Sequence, residues 1–386
     1  MREKKFDNKK TLRVVLTGGG TLGHVLPALA VLDSLKILVN KKKDNLEIAY
    51  IGRRQGMEKK LVEERGLKYL GILSGKFRRY FDLRNLTDIF LVIGGFLQSV
   101  YLLKKNHIDI VFAKGGFVTV PVVWAAFLWR IPVVAHESDT ILGLANRIIF
   151  PFVKKIAVGF PVELYPVRYR EKMVFTGNPI RPEILRADLS KKELYKKYDI
   201  FLDRPLVLII GGSQGSVKIN EWTGENLKKF LGKYVVAHAT GESSFGRMNE
   251  IKNNLDRHLR KNYLIFDYIE EDLGSFLKNS DLIISRAGAN ALSEIIHLGK
   301  TAFIIPFPFA STNHQYTNAK FLADQKAIVM KEEKDLDKDS FFEEIEKILK
   351  DKKLQNKLAK NSINIFPSDS ADIIAQTIFA LAKGKK

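Results

Sequence analysis

Two stretches of this chain follow one design: "TLRVVLTGGGTLGHVLPALAVL" (11–32) and "PLVLIIGGSQGSVKINEW" (205–222). Each is a β-rich apolar run that ends in glycines and passes straight into a helical pattern. A chain that turns this sharply from strand to helix needs residues without a Cβ, and the helix start then offers free N–H groups to an anion. Such units belong to parallel sheets with crossover helices. Meeting one at the head of each half predicts an α/β chain of two Rossmann-like domains.

The remaining pattern agrees. In the first half the strand-like runs are "LRVVLTG", "LEIAYIG", "KYLGILS", "DIVFAKGG", "IPVVAHE" and "KIAVGF", most of them followed by helical segments such as "GMEKKLVEERGL" and "DIFLVIGGFLQSVYLLKKN". The alternation pauses at "VFTGNPIRPEIL" (174–185), where two prolines and a glycine break any element, and then restarts. The expected domains are 1–178 and 179–366, with a linker near 177–182 and a last helix within 367–386, "DIIAQTIFALAKG", packing back onto the first domain. The apolar stretch "GGFVTVPVVWAAFLWRIPVVAHE" (115–137) is cut by Pro121, Arg130 and Pro132, so it reads as helix then strand inside a buried core rather than a membrane span.

Composition narrows the chemistry. The 386 residues include no cysteine, which excludes disulfides, thiolate metal sites and cysteine nucleophiles. The opening "MREKKFDNKK" is polar and basic, and the apolar run after it is too short for a signal peptide, so a cytoplasmic chain is expected. A net charge of +20 suits an anionic partner, whether nucleic acid, a membrane face or a polyphosphate substrate, or else a lysine-rich surface that only keeps the protein soluble. Basic and aromatic residues cluster in "GKFRRYF" (75–81), "WAAFLWR" (124–130) and "RIIFPFVKK" (147–155), the composition either of a surface that holds an anionic bilayer or of aromatics that belong to the core.

The first glycine loop fits two ligands. Gly18, Gly20 and Gly23 match G-x-G-x-x-G, but the second strand ends in Gly52, Arg53 and Arg54 instead of the acid that holds an NAD ribose; arginines there suit NADP. Alternatively the loop is shaped for another phosphate-bearing ligand. His24, at the helix start, would then face that ligand, with the positive helix end favouring a neutral imidazole able to take a proton. In the second half, Gly211, Gly212, Ser213, Gln214 and Gly215 form an anion cradle. In "SRAGANALSEIIHLG" (285–299), small residues leave room at a helix start, and Glu294 can accept both hydroxyls of a ribose. Gln315 and Asn318 share a helical face and suit sugar hydroxyls, while Arg181 at the hinge can neutralise a diphosphate. "HESDTILGLANR" (136–147) either serves chemistry or caps the next helix.

Taken in order, "GGTLGHVLPALA" (19–30), "KGGFVTVP" (114–121), "HESDTILGLANR", "GNPIR" (177–181), "GGSQGS" (211–216), "SRAGANALSE" (285–294) and "NHQYTNA" (313–319) resemble the MurG family, N-acetylglucosaminyltransferases that act on undecaprenyl-diphospho-muramoyl-pentapeptide. The resemblance spans about 12–325 and implies a GT-B fold, two Rossmann-like domains facing across a cleft. It implies an inverting transfer from UDP-GlcNAc to the muramoyl C4 hydroxyl of the lipid-linked acceptor (lipid I), on the cytoplasmic face of the membrane. It further implies donor contacts at Thr21, Leu22, Gly23, Asp139, Arg181, Ser213, Gln214, Ile269, Ala289, Asn290, Ala291, Leu292, Glu294 and Gln315. Gly19, Gly20, Gly115, Gly116 and Asn146 would shape the acceptor side. The expected partners are UDP-GlcNAc, the undecaprenyl-linked acceptor and an anionic membrane surface, with no nucleic acid. No D-x-D-type motif stands out as a metal carrier, and neither metal nor cofactor is expected; the helix start after "GGSQG" with Arg181 would absorb the phosphate charge. Leu22 replaces a glycine common in the family, and Ser138–Asp139 replaces a frequent Gln–Asn, so both His24 and Asp139 stand as possible general bases. Related GT-B enzymes that glycosylate diacylglycerol or epimerise UDP-GlcNAc are the alternatives.

Overall fold

A computed structural model describes residues 10–20, 22–75, 84–200, 204–212 and 215–384. The chain divides into two compact units: 1–138, 142–179 and 369–386 form the first, and 139–141 with 180–368 the second.

The first unit carries a sheet of seven strands: β1 (Thr11–Thr17), β2 (Asn45–Arg53), β3 (Lys68–Ile72), β4 (Ile110–Ala113), β5 (Val133–Glu137), β6 (Lys155–Val158) and β7 (Met173–Phe175), in the order β3-β2-β1-β4-β5-β6-β7. Every pairing is parallel. Strands covered on both faces must be apolar throughout, and β4 (IVFA) and β5 (VVAHE) are buried at every position. The helices that matter to the site are α1 (Leu22–Lys41), α2 (Glu58–Glu64), α3 (Arg84–Lys105), α4 (Thr119–Leu128) and α5 (Leu144–Ile149). As the broken apolar pattern of 115–137 implies, α4 and β5 fold as helix then strand.

The second unit repeats the plan with six parallel strands: β8 (Leu206–Ile210), β9 (Val235–Ala239), β10 (Tyr263–Phe266), β11 (Leu282–Ser285), β12 (Ala302–Ile304) and β13 (Val329–Met330), ordered β10-β9-β8-β11-β12-β13. Apolar side chains fill both faces of this sheet. The short edge strands β7 and β13 go beyond the sequence reading.

The C-terminal helix Ser370–Lys383 belongs to the first unit and lies along α1. Its buried stripe, Ile374, Ala375 and Ile378, joins the core formed by Val25, Leu29, Leu32 and the inner face of β1. Ser370 Oγ donates to the Thr176 carbonyl, and Lys383 pairs with Asp44 at 2.6 Å. Truncating Ile378 to Ala is expected to cost ~2–4 kcal/mol, since it opens a cavity the helix cannot close. Urea unfolding checks this; a cost below ~1 kcal/mol would mean that the helix merely rests on the surface.

Candidate active site

In both sheets the strand order reverses once, between β1 and β4 and between β8 and β11. At such a point neighbouring crossovers leave in opposite directions and open a crevice at the strands' carboxyl ends, the usual ligand position in this architecture.

In the first unit the two chains leaving β1 and β4 touch. Gly19 N–H donates to the Gly115 carbonyl at 3.3 Å. Gly116 has φ +87°, and a Cβ there would lie 2.3 Å from the Gly19 carbonyl oxygen, so no other residue fits. His24 stands in the first turn of α1, with its imidazole 3.4 Å from where a Cβ on Gly115 would be. Burial and then the Lys114 ammonium push its pKa down to about 4, so the ring is neutral at ordinary pH. Its buried Nδ1 has no hydrogen-bond partner among the described residues, and neither has the buried Asn146 Oδ1. Asn146 also flanks Gly115. Its Nδ2 donates to the His136 carbonyl at 3.1 Å and to Glu137 Oε2 at 2.9 Å. Glu137 Oε2 in turn accepts from Gly143 N–H at 2.8 Å, which fixes the start of α5. Within "HESDTILGLANR", then, Glu137 takes the capping role. Lys114, buried at the end of β4, donates to Ser138 Oγ.

In the second unit the loop after β8 is braced from behind. Gly215 has φ +76°, and a Cβ there would meet the Thr240 carbonyl oxygen at 1.9 Å. Asn220 Nδ2 donates to that same oxygen at 2.8 Å. Its Oδ1 lies 2.9 Å from His238 Nε2, whose Nδ1 lies 2.9 Å from the Tyr263 hydroxyl. Ser216 caps the helix Val217–Glu225 and accepts from Arg286 Nε at 3.0 Å. Arg286, just past β11, also donates to the carbonyls of Ile305 and Pro306 and to Glu333 at 2.6 Å. One buried guanidinium thereby ties the glycine loop to the ends of β11 and β12.

Beside it, the helix Ala289–His297 starts at Gly288 with no side-chain cap, and a Cβ on Gly288 would meet nothing within 4 Å. Uncapped N–H groups over open space suit an anion. Arg181 and Glu294 pair in a fork, Nε to Oε1 at 2.7 Å and Nη2 to Oε2 at 2.8 Å. Burial opposes the Arg181 charge, yet the Glu294 carboxylate outweighs it and holds the guanidinium protonated above its ordinary range. Gln315 Oε1 accepts from Ala287 N–H at 3.2 Å and Phe307 N–H at 3.0 Å. Buried Asn318 gathers residues 139–140: its Oδ1 accepts from Thr140 N–H at 2.9 Å, and its Nδ2 donates to Asp139 Oδ1 at 2.8 Å.

The expected residues therefore fall into two groups. Gly19, Gly20, Gly115, Gly116, His24 and Asn146 come together in the first unit. Asp139, Arg181, Glu294, Gln315, Ala289, Asn290, Ala291 and Leu292 lie in the second, with Ile269 buried in its core. Gly23 is in the first turn of α1 with His24 and so belongs to the first unit, as does the main chain of Leu22. Thr21, Ser213, Gln214 and residues 76–83 lie outside the described residues. Lys114, Arg286 and Glu58 were missed as site residues. For Lys114 the signal was available: a cation set directly at the end of the wholly apolar β4 is expensive unless it has a task, and Arg286 likewise follows the buried run Leu282–Ser285.

Three histidines are held neutral by burial: His24 at about 4, His238 at about 3 and His136 well below its ordinary value, the last with the Lys114 charge adding to burial. Because their folded values are depressed, the unfolded chain takes up protons first as pH drops through about 6.5. Their contribution to stability is complete above that pH and is lost below it, at ~1.4 kcal/mol per unit for each histidine. Urea unfolding at pH 7 and pH 5 is expected to show a marked drop, reduced in His238→Gln. Equal stability at the two values would contradict the neutral assignment.

Comparison with known proteins accords with this geometry. Residues 14–158 match the glycosyltransferase family 28 N-terminal domain and residues 206–376 the family's C-terminal domain. A protein of Clostridium botulinum (strain Langeland), named UDP-N-acetylglucosamine–N-acetylmuramyl-(pentapeptide) pyrophosphoryl-undecaprenol N-acetylglucosamine transferase, is 44% identical over 84% of this chain and 88% of its own length. A Clostridium tetani protein of the same name is 39% identical over 91% of this chain and 93% of its own length. The crystal structure of Acinetobacter baumannii MurG superposes with a TM-score of 0.72 at 23% identity, covering 96% of this chain and 99% of that one, and so shares the fold. The chain belongs to glycosyltransferase family 28, with the two Rossmann-like domains of a GT-B enzyme, among the MurG-type N-acetylglucosamine transferases.

Proposed function

We propose that this enzyme moves N-acetylglucosamine from UDP-GlcNAc to the muramoyl C4 hydroxyl of undecaprenyl-diphospho-muramoyl-pentapeptide, giving lipid II and UDP for peptidoglycan synthesis and hence for cell growth, shape and division. The observation that carries the reading is the 44% identity to a transferase of that name over most of both chains. The bond from the sugar's anomeric carbon to UDP breaks, the bond to the acceptor oxygen forms, and the hydroxyl proton passes to a base. On this reading residues 1–178 with 367–386 receive the acceptor, and 179–366 hold the donor.

His24 is the base we favour over Asp139. Its Nδ1 has no protein partner among the described residues, whereas Asp139 Oδ1 already accepts from Asn318. A neutral imidazole has a lone pair to offer as the hydroxyl becomes acidic. On the donor side, the N–H groups at the start of Ala289–His297 and the loop containing Gly212 and Gly215 receive the diphosphate, together with Arg181. Glu294, oriented by the Arg181 fork, retains lone pairs for the ribose hydroxyls. Ile269 lines the uracil position, and Gln315 the sugar's.

We also propose peripheral attachment to an anionic membrane at the cytoplasmic face. Ile89, Ile93, Leu97 and Tyr101 form an exposed row on α3, one residue per turn, and Phe90 is 75% exposed beside it. Exposed Phe127, Leu128 and Trp129 extend the patch at the end of α4, while Lys104 lies 4.7 Å over the Trp129 ring. Apolar side chains rimmed by lysine suit the headgroup region.

Incubating the protein with UDP-GlcNAc and either lipid I or diacylglycerol tests the reaction. UDP release with lipid I alone is expected, and release with diacylglycerol instead would overturn the assignment. His24→Ala is expected to lose turnover by ~10²–10⁴-fold while UDP-GlcNAc binding stays near normal. A loss of donor affinity would remove His24 from the acceptor side. In flotation with anionic liposomes at low salt, Leu97→Asp is expected to weaken binding; binding that is absent in the parent protein would dismiss the membrane reading.

A further inference from the structure

The arginine that ends β2 takes no part in the scheme above, yet it lines the same cavity as His24. That cavity, about 250 Å³, is bounded by Gly19, Gly20, His24, Gly116 and Phe117, with Arg53, Glu58 and Ser74 completing its wall. The Arg53 guanidinium is exposed and has no hydrogen-bond or ion-pair partner among the described residues. Its main chain, by contrast, is fixed. Arg53 N–H donates to Glu58 Oε1 at 2.9 Å, and the Tyr69 hydroxyl donates to the Arg53 carbonyl at 2.5 Å.

Glu58 sets this geometry. It is the first residue of α2 and is buried, and a Cβ on Gly19 would come within 2.7 Å of its Oε1. The β2–α2 turn is therefore seated directly against the first glycine loop, and the root of the Arg53 side chain is fixed at the cavity edge. The strand after the glycine loop's own crossover is where a dinucleotide-binding sheet places the residue that reads a ribose, and an arginine there reads a phosphate. Here the same position overlooks the cavity that holds the favoured base.

We propose that Arg53 binds an anionic group of the acceptor. This rests on the acceptor reading of the first unit. The diphosphate of the carrier and a carboxylate of the stem peptide are the two groups with the required chemistry, and both accept a guanidinium fork. Arg53 is thereby a substrate-binding residue, and Glu58 and Tyr69 are positioning residues that act through its main chain.

The test is steady-state kinetics on the full chain with a short-chain polyprenyl-diphosphate version of lipid I, and with a second version whose stem-peptide carboxylates are amidated. Arg53→Ala leaves both main-chain hydrogen bonds in place, so folding is undisturbed. It is expected to raise the acceptor KM about tenfold, with the KM for UDP-GlcNAc and kcat at saturating acceptor unchanged, and Arg53→Lys is expected to restore part of the loss. If the effect of Arg53→Ala disappears with the amidated acceptor, the contact is to a peptide carboxylate; if it persists, to the diphosphate. An unchanged acceptor KM with both versions, or an equal rise in the donor KM, would overturn the proposal. Failure of the parent protein to use either acceptor would instead strike the acceptor reading itself.

Discussion

Everything in this molecule follows from main chains brought into contact at the points where the two parallel sheets reverse their strand order. In the first sheet the loops after β1 and β4 meet so closely that the Gly19 carbonyl occupies the place of a side chain on Gly116. In the second, Thr240 does the same to Gly215 beside β8. Close packing of this kind leaves peptide N–H groups and helix starts facing a crevice, which is what a diphosphate or a sugar requires. The chemistry is added around these contacts: His24, Lys114 and Arg53 around one, Ser216, Arg286 and the Arg181–Glu294 fork around the other.

Histidine burial illustrates how function separates from structure in such a frame. His238 is neutral because it is buried, and both ring nitrogens are engaged, by Tyr263 and Asn220. It is a bracket for the glycine loop. His24 is equally neutral, but its Nδ1 is left without a protein partner among the described residues. A desolvated, unsatisfied nitrogen costs stability, and that cost makes sense where a substrate supplies the missing partner.

Much of the architecture was legible in the sequence because parallel strands buried on both faces must be continuous apolar runs, and tight strand-to-helix turns must contain glycine. The edge strands β7 and β13 escaped, being three and two residues long. The glycine loops, His24 and the small residues from Ala289 were visible as local pattern. What stayed hidden was pairing at long range. Arg181 and Glu294 read as separate ligands for phosphate and ribose, yet they grip each other across 113 positions of sequence. Asn318 read as a sugar amide, and the structure adds that its Oδ1 accepts from Thr140 N–H, 178 positions away. The exposed stripe of α3 was masked for a different reason: "DIFLVIGGFLQSVYLL" is apolar nearly all round, so periodicity could not say which face met water.

The central claim is that the second unit holds the nucleotide where its sheet reverses, and one measurement addresses it directly: a crystal of the protein soaked with UDP-GlcNAc. The expected density places the diphosphate over the start of the helix Ala289–His297, with the ribose against Glu294 and Arg181 alongside. Nucleotide density seated on the glycines around His24, or anywhere else away from that helix start, would contradict the account.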